Sequence, residues 1–275
     1  MSQSLDKDLV TFSFGKNWRD YVDTINEESI QSARADIEQW LGGDSVLDRT
    51  VLDLGSGSGI HSLCFFMMRA KELLSFDIDP FSVESTRLLW KKAGSPANWK
   101  VLRGSILDRE FVESLGKHDI VYSWGVLHHT GAMWQAIDNA CSLVLPGGRL
   151  WIALYVKGST YPKHLALKQS YNRASWLGKK VMVWKYIYDT CMLPRWRAGV
   201  NPFAWNKTTT RGMNVYHDIV DWMGGLPYEV ASKDEVVAFC NDRGFALEKV
   251  FETCEQGNNV YLFSLAAEPK DSSLA

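Results

Sequence analysis

The stretch Asp53-Leu54-Gly55-Ser56-Gly57-Ser58-Gly59 follows the apolar run Thr50-Val51-Leu52 and leads into Ile60-His61-Ser62-Leu63-Cys64. An apolar strand, a turn with glycine at alternate positions and then a helix is the opening of a βαβ unit. Glycine there lets the backbone approach a ligand closely, and the helix beyond offers unpaired N–H groups at its start. A dinucleotide fingerprint requires Gly or Ala at its last position. Ile60 stands there instead, which speaks against NAD. A second strand ends in Asp77, 20 residues after Gly57, where a carboxylate can accept both hydroxyls of a ribose.

Outward from this turn, apolar strands alternate with helices. Strands are expected at 50–54, 73–77, 99–103, 119–123 and 149–155, the last after the turn Pro146-Gly147-Gly148. Helices are expected near 29–41, 60–69, 81–93 and 132–144. This alternation predicts βαβ crossovers and a parallel, doubly wound sheet. Regular structure resumes at Ser232-Lys233-Asp234-Glu235, a capping box opening a helix that Gly244 stops. Two closing strands, 246–252 and 260–266, bring the total to seven. Residues 1–45 read as an N-terminal helical cap, 46–156 with 230–268 as the ligand-binding core, 157–229 as a helical insertion, and 269–275 as a tail.

The 275 residues are 46% hydrophobic and 23% charged, which excludes a disordered or fibrous chain. Net charge is −2, unevenly spread. Between Lys157 and Arg211 eleven bases face one acid, Asp189, so that segment carries +10 and the remainder −12. Aromatic residues, among them Tyr171, Trp176, Trp184 and Trp205, are interleaved with the bases. Such an insertion is expected to contact something anionic, or else to be a helical lid with solvated Lys and Arg. The start of the chain, 1–8, is polar, no apolar run is long enough to span a bilayer, and five widely spaced cysteines contain no C-x-x-C. A cytoplasmic setting is the expectation, and no metal site is expected.

Asp53 to Gly59, the acidic Asp77, the run Asp119-Ile-Val-Tyr-Ser-Trp-Gly-Val-Leu-His-His-Thr130, Pro146-Gly-Gly148 and Gly244-Phe245 together resemble the class I S-adenosylmethionine-dependent methyltransferases. The small-molecule branch, with the ubiquinone-type and natural-product enzymes, is the nearest in pattern. The resemblance covers about 45–155 and 230–266, and leaves out the basic insertion. It implies a doubly wound seven-stranded Rossmann-like sheet with that insertion after the fifth strand, and S-adenosylmethionine as cofactor. By the same resemblance Gly55, Ser56, Gly57 and Gly59 line the methionine and ribose portion, Asp53 sits under the methionyl amine, and Asp77 with Ile78 takes the ribose side. Ser105 stands where relatives often carry an acid, which makes Ser105 and Ile106 the adenine candidates, with Asp108 a possible substitute. Trp124 ends the fourth strand at the mouth of the sheet. Trp18 and Tyr21 either close over the site or simply pack.

A hydroxyl acceptor would use a base, and His128 or His129 after the fourth strand is the first candidate, with His217 the second. His129 could equally brace its loop. Tyr21, Tyr155, Tyr171, Tyr216 and Arg211 are the candidate substrate contacts. The expected activity is methyl transfer to an oxygen or nitrogen of a small or amphipathic anionic metabolite. Two alternatives stand beside it: an RNA methyltransferase, for which Lys, Arg and aromatics would serve phosphate contact and stacking, and a non-catalytic membrane-surface binding protein. A membrane span is not expected, peripheral membrane contact is compatible with the sequence, and oligomeric state is not legible.

Overall fold

The computed structural model describes residues 25–206, 215–253, 255 and 257–267; Trp18, Tyr21, Arg211 and the expected tail lie outside these. Asn26 opens the first helix, α1 (Glu27–Leu41), by accepting the Ser29 amide at 2.9 Å. There follow β1 (Thr50–Leu54), α2 (Ile60–Met67), β2 (Glu72–Asp77), α3 (Pro80–Lys92), β3 (Trp99–Arg103), α4 (Arg109–Leu115), β4 (His118–Trp124), α5 (Met133–Ser142) and β5 (Val144–Tyr155). Beyond β5 come α6 (Tyr161–Arg173), α7 (Trp176–Ile187), a five-residue π-helical stretch, α8 (Leu193–Arg197) and α9 (Val215–Gly224). Helix α10 (Lys233–Asn241) and strands β6 (Phe245–Phe251) and β7 (Asn258–Leu265) close the fold.

The seven strands form one sheet in the order β3-β2-β1-β4-β5-β7-β6. The expected parallel sheet holds for β1 to β5 only. β7 runs antiparallel to both β5 and β6. β6 and β7 are joined by a short turn and so run in opposite directions, and this hairpin enters the sheet with β7, not β6, beside β5. Two further differences are small. The Pro146-Gly147-Gly148 segment lies within β5, where its pairing with β4 shifts register, and α4 escaped the sequence reading because it is only seven residues long.

Side chains alternate across the sheet and bury both faces. Leu52, Val121 and Ile152 pack with Ala136, Ile137 and Ala140 of α5 and Val236 of α10. Val51, Ile120 and Trp151 face the other way, onto Ala33 and Ile37 of α1 and Ile60, Cys64 and Phe65 of α2. The helices after β5 hold a separate small core of Tyr171, Val183, Ile187, Ile219 and Met223.

The capping box forms as expected: Ser232 Oγ accepts the Glu235 amide, and Glu235 accepts the Ser232 amide at 2.8 Å. Ser232→Ala is expected to cost about 1 kcal/mol, seen as a lower urea midpoint at unchanged slope. An unchanged midpoint would show that the cap contributes nothing.

Candidate active site

All five parallel strands end at one side of the sheet, and a cleft of about 2130 Å³ opens there. The β1–α2 turn forms its floor. The amides of Gly55 and Ser56 both donate to the Phe76 carbonyl, at 2.8 and 3.0 Å, so the turn is pinned onto the end of β2. Gly55 has φ +78°, and a Cβ there would lie 2.3 Å from Val126. Gly59 has φ +81°, and its Cβ would lie 2.8 Å from the Thr86 backbone. Both positions therefore exclude side chains on backbone and packing grounds together. Gly59 does not line the cleft; it serves the close packing of the turn against α3.

Asp77 at the end of β2 accepts the Gly57 amide at 3.0 Å through one oxygen and the Asp79 amide at 2.9 Å through the other. Asp53 is buried at the end of β1 and accepts the Ser62 hydroxyl. Behind it runs a chain of buried groups: Trp99 Nε1 donates to Ser75 Oγ at 2.9 Å, and Ser75 lies 2.7 Å from Ser62. Trp99 can only donate and Asp53 is the terminal acceptor, so the hydroxyls align in one direction toward the carboxylate. Burial pushes the Asp53 and Asp77 carboxyls up to about 6, against the lowering effect of these hydrogen bonds. Ile78 is exposed beside Asp77, and Ser105, Ile106 and Trp124 complete this end of the cleft. Asp108 reaches the rim, where its Oδ1 accepts the Phe111 amide and caps α4.

The two neighbouring histidines separate sharply. His129 lines the cleft, and its Nδ1 lies 2.6 Å from the Pro227 carbonyl. A carbonyl only accepts, so Nδ1 carries the proton and Nε2 carries the lone pair of the neutral ring. Burial, with the nearby Lys168 cation, pulls this histidine down to about 3. Gly225 makes room for the ring: a Cβ there would lie 2.6 Å from His129 Cε1. His128 is wholly buried and does not line the cleft. Its Nδ1 accepts the Tyr155 amide at 3.3 Å, and its ring lies between His129 and Tyr155 at 4.4 and 4.0 Å. Burial holds it neutral as well. The expectation that either histidine could meet an acceptor is thus corrected for His128, which braces the loop from behind.

Tyr155 lines the cleft as expected, but Tyr171, Tyr216 and His217 do not. Tyr171 is buried in the separate core of the helices after β5. Tyr216 and His217 contact each other on α9, and Tyr216 packs toward Trp184. Helical periodicity places such aromatics inside that small core as readily as over a cleft.

Several cleft residues were missed by sequence reasoning. His61 Nε2 stands 3.6 Å from Asp36 Oδ2, joining α2 to α1 at the cleft wall, and His61 stacks on Tyr122 at 5.1 Å. His61 was findable as the second residue of the helix after Gly59; nothing in the sequence signals its meeting with Asp36. Lys168, counted among the outward bases, is instead buried. It donates to the Trp222 carbonyl and lies over the rings of Trp222 and Tyr228 at 4.7 and 4.6 Å. Burial lowers it to about 7, with Asp221 acting in the opposite direction. Among the described residues that line the cleft, Lys249 is the one lysine or arginine, against seven aspartates: 36, 53, 77, 79, 108, 218 and 221.

Comparison with known proteins agrees with this architecture. A family model described as a methyltransferase domain matches residues 47–216, and the chain belongs to that family. Its fold is the seven-stranded, Rossmann-like fold of the class I methyltransferases. A ribosomal protein L11 methyltransferase of Pseudomonas paraeruginosa is 27% identical over 146 residues, 50% of this chain and 47% of that protein. The chain thus aligns with about half the length of such curated relatives. In structure it resembles an O-methyltransferase family protein from Burkholderia thailandensis (TM-score 0.56, 17% identity, 91% of this chain and 60% of that one). It also resembles magnesium protoporphyrin IX methyltransferase from Synechocystis PCC 6803 with bound SAM (TM-score 0.52, 13% identity, 97% and 100%).

The raised carboxyl of Asp53 has a consequence for stability. Its folded-state value lies above the unfolded one, so its contribution is present below about pH 4 and lost as pH rises through about 6. Asp53→Asn removes the cost of the buried charge and is expected to stabilise the protein at pH 7.5 by up to about 3 kcal/mol. The gain should vanish at pH 4, as followed by urea denaturation. Destabilisation at both pH values would contradict a buried charge held at a cost.

Proposed function

We propose that the chain is an S-adenosylmethionine-dependent methyltransferase acting on an oxygen or nitrogen of a small or amphipathic metabolite. The observation that supports this most strongly is that one cleft joins the glycine cradle, Asp53 and Asp77 to a histidine, His129, whose Nε2 holds the lone pair. The cofactor fits the residues present: Gly55 has no room for a side chain, and the buried Asp53 carboxylate suits the ammonium of the methionyl end. When bound, S-adenosylmethionine supplies an electrophilic methyl group on a sulfonium. Asp77, with Ile78 beside it, accepts from the ribose hydroxyls, and Ser105 with the Ile106 backbone borders the base. Trp124 and Tyr155 exclude water beside the acceptor, and His129 takes the acceptor proton at Nε2. Much of the rate comes from holding donor and acceptor in line.

The anionic character first expected of the acceptor is refined by the charge of the cleft. Seven aspartates and one lysine favour a neutral reacting end. Any anionic portion of the acceptor lies outside the cleft, toward the bases of the 157–229 region, which serves as its substrate lid. An RNA backbone gains little from such a lining.

Two measurements test this reading. Asp77→Asn should weaken binding of S-adenosylhomocysteine at least about tenfold without lowering the melting temperature at neutral pH, because burial raises this carboxyl as it does that of Asp53; normal binding would remove Asp77 from the ribose site. His129→Ala should lower kcat about a hundredfold or more. Because His129 stays neutral, the wild-type kcat should show no acid limb above about pH 5. An acid limb near neutrality that disappears in His129→Ala would contradict the assigned state of the ring.

A further inference from the structure

The basic surplus of the helices after β5 is not spent on the cleft. The outer face of α7 carries Trp176, Leu177, Val181 and Trp184, continued by Tyr188, at helical spacing and all exposed; Trp176 is 71% exposed and Trp184 53%. The inner face of the same helix buries Val183 and Ile187 in the local core and sends Tyr186 to the cleft. Beyond α7, Trp196, Val200 and Phe203 extend the apolar surface, Phe203 being 76% exposed. Of the fifteen large hydrophobic side chains most exposed among the described residues, eight fall between 176 and 203. A concentration of this kind on a folded chain marks an interaction surface rather than random exposure.

Charge decides what covers it. From Arg173 to Asn206 there are six bases, Arg173, Lys179, Lys180, Lys185, Arg195 and Arg197, against the single acid Asp189. Lys180 lies 4.1 Å over the Trp176 ring, so apolar ring and cation share one patch of surface. A hollow of about 170 Å³ at the far end is lined by Tyr188, Met192, Leu193, Trp196, Pro202 and Phe203. A second copy of the same surface would bring like charges together. An anionic bilayer surface instead takes up tryptophan, tyrosine and phenylalanine at the headgroup level and attracts the surrounding lysines and arginines.

We propose that the outer face of α7, with the 188–203 segment, docks this protein peripherally on an anionic lipid surface. No membrane-crossing helix is needed for this; among the described residues no helix is long and apolar enough to span a bilayer. Docking by this face leaves Tyr186 and the cleft on the other side of α7. An amphipathic acceptor would therefore reach the cleft past the edge of the same helix. The docking surface stands independently of the methyl-transfer reading, because none of its exposed side chains lines the cleft.

Co-sedimentation of the full chain with phosphatidylcholine vesicles, with and without about 30% phosphatidylglycerol, tests it. The expected result is at least about tenfold tighter binding to the anionic vesicles, weakened by added salt. The variant Trp176→Ser/Trp196→Ser/Phe203→Ser should lose about tenfold or more of that binding while melting and binding S-adenosylhomocysteine as the wild type does. Lys180→Glu with Arg197→Glu should reduce binding to anionic vesicles selectively. Absence of vesicle binding by the wild type, or undiminished binding by the triple aromatic variant, would overturn the proposal. So would a dimer in sedimentation equilibrium that the triple variant dissociates without any vesicle binding, since the face would then belong to a second copy. Loss of S-adenosylhomocysteine binding with vesicle binding retained would count against the methyltransferase reading alone.

Discussion

A carboxylate that the fold buries under its own cleft, Asp53, is the constraint around which the site is arranged. It ends β1, takes the hydroxyl of Ser62 from α2, and through Ser75 of β2 is connected to the indole of Trp99 on β3. Four elements, β1, α2, β2 and β3, are thereby joined by hydrogen bonds aimed one way. The same elements carry the glycine turn, whose amides are pinned to Phe76. A buried, raised carboxylate is costly on its own and well matched to a cationic ligand. Rigidity beneath the turn and an uncompensated acid at its edge follow from one set of bonds.

Charge is sorted between two surfaces. The cleft holds aspartates from α1, the strand ends and α9, while among the described residues of 157–206 no lysine or arginine lines it, and Lys168 is buried against aromatic rings. Lys168 and Asp221 join the helices after β5 to the chemistry, because Lys168 helps keep His129 neutral. A basic segment in the sequence thus makes two different contributions. One lysine tunes a histidine from within, while the described bases between Arg173 and Arg197 lie on the outer side of the helices after β5, away from the cleft lining.

The sequence shows the fold well wherever one short segment determines it. Strands 50–54 and 99–103, the glycine turn, Asp77 and the Ser232 capping box depend on local chemistry and occur where expected. The antiparallel place of β7 depends on where a hairpin inserts into a sheet, which no local pattern encodes. The convergence of Asp53, Ser105, Ile106 and Trp124 on one cleft was legible because strand ends converge by topology. The wall formed by the loop after β4 was less so. His128 and His129 are adjacent in sequence, yet the 3-10 turn that carries them faces one to the cleft and the other to Tyr155. His61 with Asp36, and His129 with Pro227, are separated by 25 and 98 residues, and only tertiary packing brings them together.

The central claim is that the buried carboxylates await an adenosyl ligand, with Asp53 meeting the ammonium of its amino-acid end and Asp77 its ribose hydroxyls. Calorimetric titration of S-adenosylhomocysteine at about pH 6, in two buffers of different ionisation enthalpy and with NAD as control, tests it directly. Micromolar binding with net proton release, and no heat from NAD, is the predicted result, since binding draws Asp53 and Asp77 to their charged forms. No binding by the folded protein, or binding without proton release, would contradict it.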